Sequence, residues 1–173
     1  MEQSLPLGSA RRAATDTARR LPWLVVAAGV IALGTAFTAQ YWGGLQPCVL
    51  CVYQRWPYGI AIALGLLALA AGGAARGWLL ALAGLTFLAG GGIAVFHVGV
   101  EQGWWQGTSE CGSTLKADSI EALRAQIMAA PVVRCTDIAW SFAGISMAGF
   151  NAIISAILAI VTLTGARRLV RVA

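Results

Sequence analysis

Cys48 and Cys51 stand at the centre of Gln46-Pro47-Cys48-Val49-Leu50-Cys51-Val52-Tyr53-Gln54-Arg55-Trp56-Pro57-Tyr58, which also holds one arginine and three aromatic residues. A Cys-x-x-Cys spacing lets two thiols close a short ring, so the pair can cycle between dithiol and disulfide. Pro47 suits the first position of a helix, where its missing N–H costs nothing. A helix starting there carries Cys48, Cys51 and Arg55 at i, i+3 and i+7 on one face. Its N-terminus and the guanidinium would both favour thiolate over thiol. The chemistry this pattern points to is redox exchange at a membrane surface.

Two further cysteines, Cys111 and Cys135, lie downstream, 24 positions apart. Structural zinc favours two short-spaced pairs, and no histidine accompanies the second two cysteines, so no metal is expected. A c-type haem needs histidine directly after Cys-x-x-Cys, and residue 52 is Val52. A purely structural Cys111–Cys135 disulfide is the plain alternative, stabilising its loop by roughly 3–4 kcal/mol on the chain-entropy argument. That alternative explains Cys48 and Cys51 less well. Two disulfide pairs on one side of a membrane, one at a helix end and one in a long arm, suit electron relay by thiol–disulfide exchange.

The elements that must position these residues follow from composition. The chain has 173 residues, 58% of them hydrophobic and 11% charged, and its mean hydropathy is +0.74. No soluble domain of this length needs that much apolar surface, so an integral membrane protein is expected. Uncharged runs over 21–54, 56–75, 77–100 and 138–166 are each long enough to cross about 30 Å of hydrocarbon. The first exceeds one span, and its Gly43, Gly44 and Pro47 read as a turn. The expectation is an all-α, four-helix membrane bundle forming one domain over residues 1–173, with helices near 23–42, 54–72, 78–98 and 142–164. Loops near 43–53 and 99–140 carry the cysteines.

The net charge of +5 does not call for nucleic acid, because the charges are sorted. Eight arginines (Arg11, Arg12, Arg19, Arg20, Arg76, Arg167, Arg168 and Arg171) flank one set of helix ends, and four basic residues occupy the cysteine-bearing loops. Counted by basic residues, both termini lie in the cytoplasm and all four cysteines face the other side, which in a bacterium is the periplasm. The basic, then apolar N-terminus also has the outline of a signal peptide, but its run is long, ends in Tyr41-Trp42 and lacks an Ala-x-Ala site.

Residues 1–20 read as a disordered tail or one lying on the membrane lipid. Pro57 would clash with the Tyr53 carbonyl, so the second helix is either kinked there or begins there. Glycines in the third and fourth helices suggest close helix contacts. In the long loop, Ile120, Leu123, Ile127 and Met128 recur at helical spacing from Asp118 to Met128, with Asp118 as cap and Glu121 completing a capping box. This is a short amphipathic helix in the second loop. His97 is the single histidine. It is either an interface residue bonded to a neighbour or a proton source near neutral pH, with Glu101 one turn away as its partner. The tryptophans are mostly interface residues.

Pro47-Cys48-Val49-Leu50-Cys51 with Gln54-Arg55, followed by Phe96-His97-Val98-Gly99-Val100-Glu101, Cys111, Cys135 and Asp137, resembles the disulfide bond formation protein B (DsbB) family. The resemblance covers all but the tails. The vitamin K epoxide reductase fold also joins four helices to quinone-linked thiols, but there the Cys-x-x-Cys follows the loop cysteines, and here it precedes them. The DsbB resemblance implies an inner-membrane oxidoreductase that reoxidises a periplasmic thioredoxin-like donor (DsbA) and passes electrons to ubiquinone or menaquinone. It implies that donor thiolate attacks Cys111, that Cys135 then attacks Cys48, and that Cys51 is freed beside the quinone. Arg55 would hold the quinone or the thiolate charge, with Trp56 and His97 at the same pocket. Gln54 departs from the pattern, standing where some members carry an acid. From another class, a non-catalytic membrane scaffold or transporter subunit would use the cysteines only as braces.

Overall fold

The computed structural model describes residues 7–111, 119–129 and 133–172. Their order is α1 (Leu7–Tyr41), α2 (Val49–Tyr53), α3 (Arg55–Ala70), α4 (Gly73–Glu101), a 3-10 turn at Ser109–Cys111, α5 (Ile120–Ala129), a hairpin of β1 (Ser141–Phe142) and β2 (Ile145–Ser146), and α6 (Met147–Val172). Among the described residues, three helices are long and apolar enough to cross a membrane, over Asp16–Tyr41, Gly73–Glu101 and Met147–Arg171. The 16-residue α3 is apolar but shorter. The most extensive contact is α4 on α6, then α3 on α4 and α1 on α3, and α1 closes the ring against α6.

The first helix begins much earlier than residue 23. Its Ala- and Arg-rich start has good helix propensity and little to interrupt it, so the described part of the tail, from Leu7, is helical and not a disordered arm. Pro22 lies inside this helix and cannot donate to the Ala18 carbonyl four residues back. Arg76 supplies the missing donor, its Nη1 reaching Ala18 O at 3.2 Å. The same guanidinium donates to Ala68 O and Ala71 O, closing the end of α3. One arginine thus satisfies carbonyls on two helices and fixes their relative height.

The helix expected from Pro47 onward is divided. Cys48 is extended and caps α2, which ends at Tyr53, and Gln54 separates it from α3. The physical reason is Pro57, which offers no N–H to the Tyr53 carbonyl. The interruption falls before Arg55, so Pro57 lies in the first turn of α3, where a proline is tolerated. Consequently Cys48, Cys51 and Arg55 do not share one continuous helical face. The third helix runs from Gly73 to Glu101, longer than 78–98 at both ends.

The last helix starts at Met147, not at 142, because a two-residue hairpin precedes it. Ser141 pairs with Ser146 and Phe142 with Ile145. Ala143 and Gly144 both have positive φ, 51° and 78°, as a twist-matched tight hairpin turn requires. Ser146 Oγ then accepts from Gly149 N at 3.1 Å and so caps α6. In the long loop, α5 covers most of the expected amphipathic helix. Its cap is Ser119, whose Oγ accepts from Ala122 N at 3.1 Å; Asp118, the expected cap, lies outside the described residues.

The core of the ring is built from small residues and a few large ones, including Val25, Tyr58, Ala61, Leu80, Ala83, Phe87, Ala159 and Ala166. Ile31, Leu88 and Ile160 point outward and are mostly exposed, as lipid-facing positions should be. Close approach is real at Gly84, where an added Cβ would lie 2.7 Å from Leu163 Cγ. This is the small-residue helix contact that the glycine content anticipates.

Candidate functional site

Beyond the ring, at the end opposite Arg76, a second apolar cluster gathers Cys48, Leu50, Val100, Cys111 and Cys135, with Cys51, Phe96 and Val133 packed against it. All four cysteines therefore meet in one place, although they come from three separate segments. Cys111 and Cys135 form a disulfide, while Cys48 and Cys51 are free thiols. Both disulfide partners are buried, Cys135 at 1% exposed and Cys111 at 8%.

The segment carrying Cys111 is tied to α2. Tyr53 OH donates to a Glu110 carboxylate oxygen, and that bond raises the Tyr53 phenol above its ordinary range. Thr108 reinforces the turn, its carbonyl accepting from Cys111 N at 2.8 Å. On the other strand of the loop, Asp137 Oδ2 accepts from Arg134 N at 3.3 Å. Trp105 folds back on α4, donating Nε1 to Phe96 O at 2.9 Å and stacking on the Phe96 ring. It lies so close that a Cβ at Gly99 would fall 2.0 Å from its ring. Only glycine fits there.

The free pair is polarised. Cys51 Sγ lies 2.9 Å from Cys48 Sγ, and Cys51 N donates to Cys48 Sγ at 3.3 Å. His97 Nε2, reaching across from α4, lies 3.5 Å from the same sulfur. The Cys51 hydrogen bond contributes most, burial opposes it, and His97 adds to it; together they bring the Cys48 thiol down from 9.0 to about 4. Cys51 moves the opposite way, because its proton is held by Cys48 and it is itself buried. In the dithiol the charge sits on Cys48 and the proton on Cys51.

Placement of the expected site residues differs in instructive ways. His97, near the end of α4, is 3% exposed; it faces Cys48 and lies 3.8 Å from Glu101 Oε1. The helical i, i+4 partnership expected from sequence is present. Arg55 turns elsewhere. Its Nη1 donates to Gln40 Oε1 at 2.7 Å, and its guanidinium lies 5.1 Å from the centre of the Phe37 ring. The side chain beside the thiols is therefore His97, on another helix, and not Arg55. Trp56 is 68% exposed at the start of α3.

Gln54, noted in the sequence only as a departure from the family pattern, joins the site, as do Asn151, Tyr58 and Ser146, to which the sequence assigned no site role. Gln54 Nε2 meets His97 Nδ1 at 2.8 Å, and Asn151 on α6 donates to Gln54 Oε1. Tyr58 OH donates to Asn151 Oδ1, and Ser146 donates to Glu101. A lone amide such as Asn151 in an apolar run is a usable signal, because buried polar groups in membrane helices are costly without partners. Cys48, Cys51 and His97 also offer three ligand atoms within 4.8 Å of one another, a grouping that sequence separation conceals.

Comparison with known proteins agrees with this geometry. Residues 18–165 match the family described as disulfide bond formation protein DsbB. Among curated relatives, the Uncharacterized protein RP370 of Rickettsia prowazekii (strain Madrid E) is 31% identical over 143 residues, covering 81% of this chain and 83% of the relative. The Disulfide bond formation protein B of Verminephrobacter eiseniae (strain EF01-2) is 32% identical over 164 residues, 90% of this chain and 89% of that protein. No solved structure gives a significant match. With a match over most of its length and two cysteine pairs meeting in one cluster, the chain belongs to the DsbB family of membrane oxidoreductases that form disulfide bonds.

Proposed function

We propose that the protein is a disulfide-generating protein-disulfide:quinone oxidoreductase of a bacterial inner membrane, acting as one domain of four spanning helices. The observation that carries this reading is the convergence of Cys48, Cys111 and Cys135 in one buried cluster beside Cys51. Exchange needs sulfurs that can meet in turn, and a brace does not need two pairs packed together. The fourth span is α3. Its 16 residues extend about 24 Å, less than the hydrocarbon thickness, a mismatch that local thinning and the flanking Arg55 and Arg76 can absorb. The arginine distribution favours cytoplasmic termini and periplasmic cysteines.

The relay runs by balanced exchanges. A thiolate of a periplasmic thioredoxin-fold, DsbA-like dithiol attacks Cys111, forming a mixed disulfide and releasing Cys135 thiolate. The donor's second thiolate closes the donor disulfide and releases Cys111. Cys135 attacks Cys48 of the oxidised inner pair and frees Cys51, and Cys111 then re-forms its bond to Cys135 and frees Cys48. The donor loses two electrons and two protons, and the inner dithiol carries both.

A quinone would supply the two-electron acceptor that returns the inner pair to a disulfide. The residues fit one. Arg55 offers cationic donors beside the Phe37 face, and Trp56 presents an exposed indole at the same helix start, a combination suited to a planar molecule with carbonyl oxygens. Cys48 holds the negative charge needed for nucleophilic attack, and His97 stabilises it from the protein side.

The test mixes purified protein, a reduced thioredoxin-fold dithiol and soluble ubiquinone without oxygen. One quinone should be reduced per donor disulfide formed, and Cys111→Ser or Cys51→Ser should abolish the coupling. Quinone reduction that persists in both variants, or cysteines inert to donor and quinone alike, would return the protein to the scaffold reading.

A further inference from the structure

The polar residues buried between α2, α3, α4 and α6 form a chain with a direction. Gln54 is 6% exposed. Its Nε2 lies 3.3 Å from the Leu50 carbonyl and 2.8 Å from His97 Nδ1. A carbonyl only accepts, so the amide nitrogen must face it. The ring nitrogen beside that N–H is then an acceptor. Behind Gln54, Asn151 Nδ2 donates to Oε1, and Asn151 Oδ1 accepts from Tyr58 OH and, at 3.3 Å, from Ser155 Oγ. Each amide is held at both ends, so reversing Gln54 would set its oxygen against the Leu50 oxygen.

An imidazole that accepts at Nδ1 and remains neutral carries its proton on Nε2. Nε2 is the atom 3.5 Å from Cys48 Sγ. We propose that Gln54, buttressed by Asn151 and Tyr58, is a positioning residue that holds His97 as the Nε2–H tautomer, with that proton directed at the Cys48 sulfur. A carboxylate at position 54 would reverse the arrangement, since it can only accept and would draw a proton onto Nδ1. The amide gives the thiolate a neutral donor and adds no carboxylate beyond Glu101, whose Oε1 lies 3.8 Å from His97 Nε2. The same tautomer makes Nε2 a donor and so a poor metal ligand, although it lies with both sulfurs within 4.8 Å. The inference rests on Cys48 being a redox thiol, but its first readout needs no turnover.

That readout is the ring itself. With a single histidine in the chain, ¹⁵N-histidine labelling of the reduced full-length protein gives one pair of imidazole nitrogen signals. The native protein should show Nε2 protonated and Nδ1 bare. Gln54→Leu should release that bias, and Gln54→Glu should place a proton on Nδ1. A native ring protonated on Nδ1, alone or together with Nε2, overturns the proposal, as does an unchanged ring in Gln54→Leu. The native measurement decides even where a variant fails to fold, and Asn151→Leu gives a second way to loosen the Gln54 amide.

The second readout is alkylation of Cys48 against pH in a Cys111→Ser, Cys135→Ser background. Among the described residues, the titratable groups around it are Cys51 on α2 and His97 and Glu101 on α4. Gln54→Leu should slow alkylation at mildly acid pH severalfold, with no further effect once His97 is Phe. Independent, additive effects of the two substitutions would reduce Gln54 to a packing residue. Loss of quinone coupling with the predicted tautomer intact would defeat the assigned function and leave this inference standing.

Discussion

Replacing His97 with phenylalanine should make the Cys48–Cys51 pair a weaker oxidant, by an amount the geometry sets. In the dithiol, the Cys48 thiol stands at about 4, down from 9.0. A depressed thiol value stabilises the reduced pair fully above the unperturbed 9.0. The gain shrinks as pH falls below that and vanishes as pH passes through about 4. At pH 7, between those two limits, part of that gain remains. The substitution leaves the larger contribution, the Cys51 hydrogen bond, intact and removes the His97 contact. A hydrogen bond to a charged group contributes ~1.5–3 kcal/mol, so the potential should fall by ~30–65 mV. Redox equilibration in glutathione buffers, read by alkylation gel shift in the Cys111→Ser, Cys135→Ser background, measures it. Between about pH 6 and 8 the native potential should change by ~30 mV per pH unit, because one proton accompanies two electrons when Cys48 is already ionised. A native slope near ~59 mV per unit, or an unchanged potential in His97→Phe, would refute the reasoning.

Two further outcomes are expected. Arg55→Lys should fold and insert but raise the KM for quinone by about fivefold to thirtyfold, on the order of 1–2 kcal/mol, because lysine lacks the planar fork now set between Gln40 and the Phe37 face; an unchanged KM would make Arg55 a residue that only reaches the headgroups. A membrane-impermeant thiol reagent applied to reduced intact cells should label Cys111 or Cys135, and labelling only after the membrane is broken would invert the proposed orientation.

Much of this was legible in the residues themselves. Long uncharged runs in a 173-residue chain leave helices as the available answer, since hydrocarbon offers no partner to an open backbone. Cys48-x-x-Cys51 announced thiol exchange because the chemistry needs only that local spacing. Sequence also placed His97 one turn from Glu101, a relation that the helix period alone dictates. What it could not supply were relations between segments. Arg55 is four residues from Cys51, yet the break at Gln54 and the pull of Gln40 and Phe37 send it to α1. His97 is 49 positions from Cys48 and still lies against its sulfur, because the packing of α4 beside α2 decides that contact and no periodicity encodes it. The hairpin at Ala143-Gly144 escaped for a related reason. Gly144 suits such a bend, but Ala143 does not usually adopt the positive φ it has there, and the pairing of Ser141 with Ser146 holds it. Local propensity and hydrophobic period thus determined the helices, while the direction of each polar side chain inside the bundle waited on which partner packing brought within reach.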